Sequence, residues 1–341
     1  MEKFRVGLSA AFTRQDNKST FPSCNWDELR QTNGVELAEL LPGDLLTQTQ
    51  IENFDAIVLM GEKVTSNMFR NDNRLKLIAR MGVGFDQIDV PACTDNDVAL
   101  TITPEAVRRP MASSVVLMIL ALAHRLVEKD RLTRTGPLGW PSRLDFFGIG
   151  LVNRTLAIIG LGNIGQEVVQ LIKPFDMRII AYDPYLEPPI AESLGVELVD
   201  LDTVFREADF LSFNCPLNDE TRYIGSRDGI AKMKASAYLI NTARGPVVDQ
   251  KALYDALVEQ RIAGAAIDVF DPEPSPADDP ILNLTNVIVA PHAIGFSDQM
   301  FSTMGEVNTR AILAVKNGET PANLVNPDVA NRKGFQKKLG R

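Results

Sequence analysis

The segment Leu156-Ala-Ile-Ile-Gly160-Leu-Gly162-Asn-Ile-Gly165 spaces three glycines as G-x-G-x-x-G, after an apolar run and ahead of an amphipathic stretch. A strand feeding such a turn, with a helix leaving it, is the unit that cradles a dinucleotide. Gly160 permits the tight turn, Gly162 lets a pyrophosphate approach the backbone, and Gly165 lets the helix close on the strand. Free N–H groups and the helix dipole then favour the phosphates. The turn lies in the middle of 341 residues, so most of a domain's worth of chain precedes it.

That length suggests two domains with a core each. Hydrophobic residues make up 45% and charged residues 23%, an ordinary soluble balance. A net charge of −9 argues against an electrostatic nucleic-acid surface. Cys24, Cys93 and Cys215 show no CxxC or metal-ligand spacing, so no metal is expected and a reducing compartment fits best. The start Met1-Glu-Lys-Phe-Arg lacks a signal peptide's apolar core. The apolar run Met111–Ala123, between Arg109 and His124-Arg125, is too short to span a bilayer and reads as a buried helix. The expectation is a soluble, cytoplasmic protein with no membrane or nucleic-acid partner.

Apolar runs alternate with polar or helical segments on both sides of the glycine turn. Phe4–Leu8, Val35–Leu37, Asp55–Met60, Lys76–Ala79 and Val98–Thr101 read as buried strands, with helices at Trp26–Arg30 and Ser66–Asn71. Beyond the turn, strands are expected at Arg178–Tyr182, Phe210–Asn214, Tyr238–Asn241, Gly264–Val269 and Val287–Ala290. Helices are expected at Gln166–Ile172, Leu201–Glu207 and Gln250–Glu259, the last capped by Asp249. This rhythm is that of parallel sheets covered by helices. Ala112–Val127 reads as one long apolar helix, Thr135–Gly150 as a loop, and Asp298–Asn317 as a second long helix. The polar tail from Pro321 is expected to be poorly ordered.

A dinucleotide site needs an acidic residue about twenty residues past the glycines to bind the ribose hydroxyls. Asp183, at the end of Arg178-Ile-Ile-Ala-Tyr182, stands there and would repel a 2′-phosphate, favouring NAD over NADP; alternatively it caps a turn before Pro184. Of two histidines, His124 lies in the apolar helix and reads as structural. His292 follows the strand ending Val289-Ala290-Pro291, and strand carboxyl ends face the ligand crevice. His292 is therefore the acid/base candidate. Arg244 also follows a strand, and its planar fork suits a carboxylate. Glu273 and Asp268 follow the Gly264–Val269 strand, where a carboxylate beside His292 would orient the ring. Each of these charges could equally be a solvated loop residue.

At these residues the sequence resembles the D-isomer-specific 2-hydroxyacid dehydrogenases. The resemblance is carried by Gly160–Gly165, by Asn241-Thr-Ala-Arg-Gly-Pro-Val-Val-Asp249, by Ala265-Ala-Ile-Asp-Val-Phe-Asp-Pro-Glu-Pro274 and by Asn286-Val-Ile-Val-Ala-Pro-His292. An earlier block, Leu77-Ile-Ala-Arg-Met-Gly-Val-Gly-Phe-Asp86, matches the family's substrate loop. The resemblance implies a catalytic set of Arg244, Glu273 and His292. His292 would donate the proton in ketone reduction, with Glu273 holding it protonated. Arg244 would bind the substrate carboxylate, helped by the Val83 and Gly84 amides. It further implies that Asn163 and Ile164 offer amides to the pyrophosphate, that Asp268 contacts the nicotinamide amide, and that Cys215, Thr242 and Ala243 line the cofactor.

The implied architecture is α/β, with two doubly wound parallel-sheet domains. A Rossmann NAD-binding domain, 103–296, is inserted into a flavodoxin-like substrate domain formed by 1–102 and completed by 297–341. The catalytic cleft would lie between them, and the family is usually dimeric. The implied reaction converts a 2-oxoacid and NADH to a D-2-hydroxyacid and NAD. Phosphoglycerate or phosphite oxidation, or a non-catalytic NAD-sensing role like that of the corepressors sharing this fold, are the alternatives. One segment departs from the family pattern: Glu105-Ala-Val-Arg108-Arg109-Pro110 places two arginines at the start of the long helix. They would bind a second anionic group of the substrate or the cofactor, or form an exposed surface pair.

Overall fold

The computed structural model describes residues 3–14, 16, 18–70 and 73–341. Its contacts divide the chain into two compact units, Met1–Val107 with Phe296–Arg341, and Arg108–Gly295. In the first, β1 (Phe4–Leu8), β2 (Val35–Glu39), β3 (Ala56–Leu59), β4 (Leu77–Arg80) and β5 (Ala99–Thr101) form one parallel sheet in the order β2-β1-β3-β4-β5. This is the flavodoxin-like order, with its switch point between β1 and β3. Every residue of β3 is buried, as expected where helices cover both faces of a parallel sheet. β2 lies at the edge, and the run read as buried is only half-buried there.

The second unit holds β6 (Thr155–Ile159), β7 (Arg178–Tyr182), β8 (Glu197–Leu198), β9 (Phe210–Phe213), β10 (Tyr238–Asn241), β11 (Gly264–Ile267) and β12 (Val287–Val289). Their order, β12-β11-β10-β9-β6-β7-β8, reverses between β6 and β9, as in a Rossmann sheet. Phe205, Leu211, Phe213, Leu239 and Leu257 build the core on one face. Val115, Ile119, Ile158, Val169 and Ile172 build it on the other. Both halves are thus doubly wound, as the alternation required.

Three expectations change. The helix expected over Ala112–Val127 is two helices, Pro104–Ala123 and Leu126–Arg134. The Ile149 N–H donates to the Ala123 carbonyl at 2.8 Å, occupying the acceptor that a continuing helix would use. The chain turns at Arg125, which has φ +52°. Pro104–Ala123 is long and apolar enough to cross a membrane, but Ala112, Val115, Met118, Ile119 and Leu122 are buried in the second unit's core. The helix expected over Ser66–Asn71 is a 3₁₀ turn, Ser66–Met68; Asn71 lies outside the described residues.

The polar tail is ordered. Its helix Lys333–Lys338 buries Phe335. The Lys338 ammonium donates to Asn73 Oδ1, the Leu75 carbonyl and the Asn96 carbonyl at 3.0, 2.9 and 2.8 Å. Burial pulls this lysine down to about 8, and its three acceptors explain how a cation is kept there. A single buried ring and one satisfied lysine outweigh the polar composition.

Candidate active site

In the seven-stranded sheet every candidate residue lies beyond the carboxyl end of a strand. Across the sheet, His292 follows β12, Asp268 follows β11, and Thr242, Ala243 and Arg244 follow β10. Cys215 follows β9, the glycine turn follows β6, and Asp183 follows β7. Parallel strands all end on one edge, so residues distant in sequence share one crevice.

Gly160 has φ +91°, and a Cβ there would stand 2.6 Å from the Cys215 backbone nitrogen. Only glycine suits this turn. At Gly165 a Cβ would meet the Gly160 carbonyl oxygen at 2.5 Å, so turn and helix close tightly. Gly162 differs: among the described residues nothing lies within 4 Å of its Cβ position, and the helix Asn163–Ile172 starts there without a side-chain cap. Its first N–H groups are open to an anion. An open, uncapped start is what a pyrophosphate needs, and the residues present fit a bound NAD. Cys215 is buried, which pushes its thiol up to about 11, and its backbone nitrogen lies against the Gly160 turn.

Asp183 does two things at once. Its Oδ1 accepts the Tyr185 N–H at 3.0 Å, the turn cap expected before Pro184, while Oδ2 accepts the Leu161 N–H of the glycine turn at 2.8 Å. A carboxylate oxygen has a further lone pair for a hydroxyl donor.

Asn241 builds the turn that presents Arg244. Its Nδ2 donates to the Arg244 carbonyl at 2.9 Å and its Oδ1 accepts the Ala243 N–H at 3.1 Å. Thr242 and Ala243 lie half-buried within this turn, and the Arg244 guanidinium donates to the Ala243 carbonyl at 2.7 Å. At Gly245 a Cβ would lie 1.8 Å from the Phe270 carbonyl oxygen, so the Arg244 turn and the loop leading to Glu273 meet backbone to backbone. Asparagine at a strand end is an Asx-turn signal that could have marked Asn241; no local signal marks the Gly245 contact.

His292 Nδ1 lies 2.5 Å from Glu273 Oε1, and the ring is 43% exposed. Glu273 Oε2 accepts the Phe270 N–H at 3.2 Å. Burial disfavours the charged Glu273, but the His292 hydrogen bond and charge, the Phe270 N–H and the Arg244 charge together hold it below the usual glutamate range. The stability it contributes is present above the unfolded-state value and lost as pH falls through the lower folded one. With Nδ1 engaged, Nε2 is the ring nitrogen left to face a ligand.

His292 sits in the left-handed backbone region, at φ +53°. Asp268 holds it there. The Asp268 carbonyl accepts the His292 N–H at 2.7 Å, and Oδ1 accepts the Ala293 and Ile294 N–H groups at 3.0 and 3.2 Å. Burial raises Asp268, partly offset by those two N–H groups and by the His292 charge. A strained residue fixed by a buried carboxylate is characteristic of a working site.

Val83 and Gly84 belong to the other unit and follow β4. Arg80 shapes their loop: Nε donates to the Gly84 carbonyl at 3.2 Å and Nη1 to the Met81 carbonyl. Thr103 braces it, accepting the Gly82 N–H on Oγ1 at 2.9 Å and returning its own N–H to the Gly82 carbonyl at 3.0 Å. Among the described residues neither the Val83 nor the Gly84 N–H has a hydrogen-bond acceptor. Arg80 and Thr103 were not singled out in the sequence. His124 is exposed just beyond the helix Pro104–Ala123. Arg108 and Arg109 both pair with Glu167 on the glycine helix. Among the described residues no group of three acidic, histidine or cysteine side chains could hold a metal.

Residues 116–293 match the family model described as D-isomer specific 2-hydroxyacid dehydrogenase, NAD binding domain. The chain is similar to a glyoxylate reductase of Korarchaeum cryptofilum, 39% identical over 87% of this chain and 91% of that protein. It is similar to a D-3-phosphoglycerate dehydrogenase of Methanocaldococcus jannaschii, 40% identical over 92% of this chain and 58% of that protein. Among solved structures, a glyoxylate reductase from Paecilomyes thermophila matches with a TM-score of 0.81 at 25% identity, over 96% of this chain and all of that one.

Proposed function

This chain belongs to the D-isomer specific 2-hydroxyacid dehydrogenases, NAD-dependent oxidoreductases acting on CH–OH groups, and on that premise we propose that it interconverts a small 2-oxoacid and its D-2-hydroxyacid, with His292 as acid and base. The observation that carries the reading is the 2.5 Å contact of His292 Nδ1 with Glu273, which leaves Nε2 for the substrate oxygen. NAD, when bound, supplies or accepts the hydride at substrate C2. In reduction, His292 Nε2 gives its proton to the carbonyl oxygen; in oxidation it takes the hydroxyl proton back. Glu273 holds the Nδ1–H, fixing the ring's orientation and offsetting its charge. Arg244 binds the substrate carboxylate with its fork and polarises the carbonyl.

The cofactor is held at Gly160, Gly162, Asn163, Ile164 and Gly165, with Asp183 on the ribose hydroxyls. Cys215, Thr242 and Ala243 line it, and Asp268 faces the nicotinamide amide. Two consequences can be measured. Arg244→Ala raises KM and lowers kcat together, a loss in kcat/KM of roughly tenfold to a hundredfold for a charge-assisted bidentate contact; steady-state kinetics unchanged from the native enzyme would remove it from the site. Asp183→Ala narrows the preference for NADH over NADPH, and an unchanged ratio of the two kcat/KM values would count against a ribose contact.

The function is tested by NADH oxidation with glyoxylate, hydroxypyruvate, pyruvate, phenylpyruvate, dicarboxylic oxoacids and 3-phosphohydroxypyruvate. Rapid turnover of at least one is expected. The last tests a second reading, phosphoglycerate oxidation, which the 40% identity to the Methanocaldococcus jannaschii protein supports. A protein that binds NADH and reduces none of them would instead be an NAD sensor.

A homodimer is part of the same proposal. Leu138, Trp140, Leu144 and Phe147 are 87, 67, 59 and 76% exposed within one short segment, an apolar patch that a second copy would cover. Sedimentation at micromolar concentration should show the dimer, and a monomer would contradict it.

A further inference from the structure

Arg108 and Arg109, expected from the sequence to meet an anionic group of the substrate or the cofactor or to form a surface pair, flank the glycine helix together with Glu167. Glu167 lies four residues after Asn163, and residues so spaced stack on one helix face. Glu167 therefore stands about one turn, roughly 5.4 Å, behind the helix start that Gly162 leaves open. Its side chain, 14% exposed, receives Arg108 Nε at 3.3 Å and Arg109 Nη1 at 2.5 Å. One arginine would balance the charge. The second leaves the trio positive, and both guanidiniums are more than half exposed, with five N–H donors each.

The helix bearing them is also fixed on its other side. Met111 Sδ lies 2.4 Å from the Cβ position of Gly295, and Ser114 Oγ donates to the Ile294 carbonyl at 3.0 Å. Residues 108–114 thus run between the glycine helix and the segment just after His292, along one sheet edge within a single unit. A dinucleotide reaching from Asp183 to Asp268 along that edge has its two phosphate charges at the glycine turn. No other cation has been assigned to them, and an uncapped helix start carries only about half a unit charge.

We propose that Arg108 and Arg109, held in place by Glu167, form a cationic clamp on the cofactor's pyrophosphate. The inference rests on the NAD site proposed above and adds the groups that meet its charge. It is tested by titrating NADH and NADPH, without substrate, into native protein and two double variants. In Arg108→Gln/Arg109→Gln the Kd for NADH should rise about tenfold or more, and that for NADPH by the same factor, since both carry the pyrophosphate. Arg108→Lys/Arg109→Lys keeps the charge and should stay within about threefold of native. Native affinity should weaken as salt rises to about 0.15 M, where charges are screened beyond ~8 Å.

Glutamine variants that bind NADH within about twofold of native overturn the clamp. So does a loss confined to NADPH, which would put the arginines on the 2′-phosphate, or an equal loss in both pairs of variants, which would make them structural. Should the glutamine pair not fold, salt dependence decides, and a native affinity indifferent to salt rejects the proposal. Binding is read without turnover, so a failed oxoacid panel with this binding pattern intact would reject the dehydrogenase reading and leave the clamp standing.

Discussion

In the His292→Ala enzyme, kcat should fall about 10²–10⁴-fold while NADH binds as tightly as before, because a general acid and base supplies that range. His292 is an imidazole just beyond the carboxyl end of β12 in the cofactor sheet, and Glu273 already holds its Nδ1 at 2.5 Å. Alanine loses some backbone stability at φ +53°, so His292→Asn is the companion variant, since asparagine tolerates that region better. Both should lose turnover alike if the imidazole does the chemistry. Near-native kcat in either protein would remove His292 from the reaction, whatever its effect on melting temperature.

Gly245→Ala should be nearly as damaging, for a different reason. Its Cβ would lie 1.8 Å from the Phe270 carbonyl oxygen, 2.1 Å from the Phe270 carbonyl carbon and 2.8 Å from the Asp271 nitrogen. All three are backbone atoms, so no side chain can turn aside. The loop must shift, and the Phe270 N–H that steadies Glu273 shifts with it. Overpacking of this kind costs about 1–3 kcal/mol or more. The variant should therefore melt at lower temperature and, even when folded, turn over about a hundredfold more slowly, because His292 loses its orienting carboxylate. Calorimetry and steady-state kinetics on the same preparation check both. A native melting temperature with native kcat would mean that the Arg244 turn and the Glu273 loop do not meet as described.

Much of this site was legible because buried parallel strands are continuous apolar runs, and their ends are easy to find. Arg244 and His292 were candidates for that reason, and Asp183 also for its spacing past the glycines, whereas Cys215, Thr242 and Ala243 came only with the family resemblance. The glycine turn was equally plain, with strand, spacing and helix all present between Leu156 and Ile172. What stayed hidden depends on contacts between segments. Nothing near Gly245 points to Phe270, and nothing near Glu167 points to Arg108 and Arg109. Arg80 reads as an ordinary charge, yet its guanidinium folds back on the carbonyls of the substrate loop. The family resemblance makes Asp268 a cofactor contact; its carboxylate braces the backbone after His292, which no local sequence signal shows. Helices as short as Gln48–Ile51 and Arg227–Ala231 span too few residues to show a period. The break at Arg125 follows from the Ile149 N–H, which arrives from a segment more than twenty residues downstream.

The proposed enzyme moves a hydride between NAD and a 2-oxoacid with D stereochemistry. The most direct measurement takes the oxoacid reduced fastest among those that give a chiral product, follows NADH to exhaustion, and resolves that product by handedness. One D-2-hydroxyacid formed for each NADH consumed is the result expected. An L or racemic product, or NADH bound and never consumed, would contradict it.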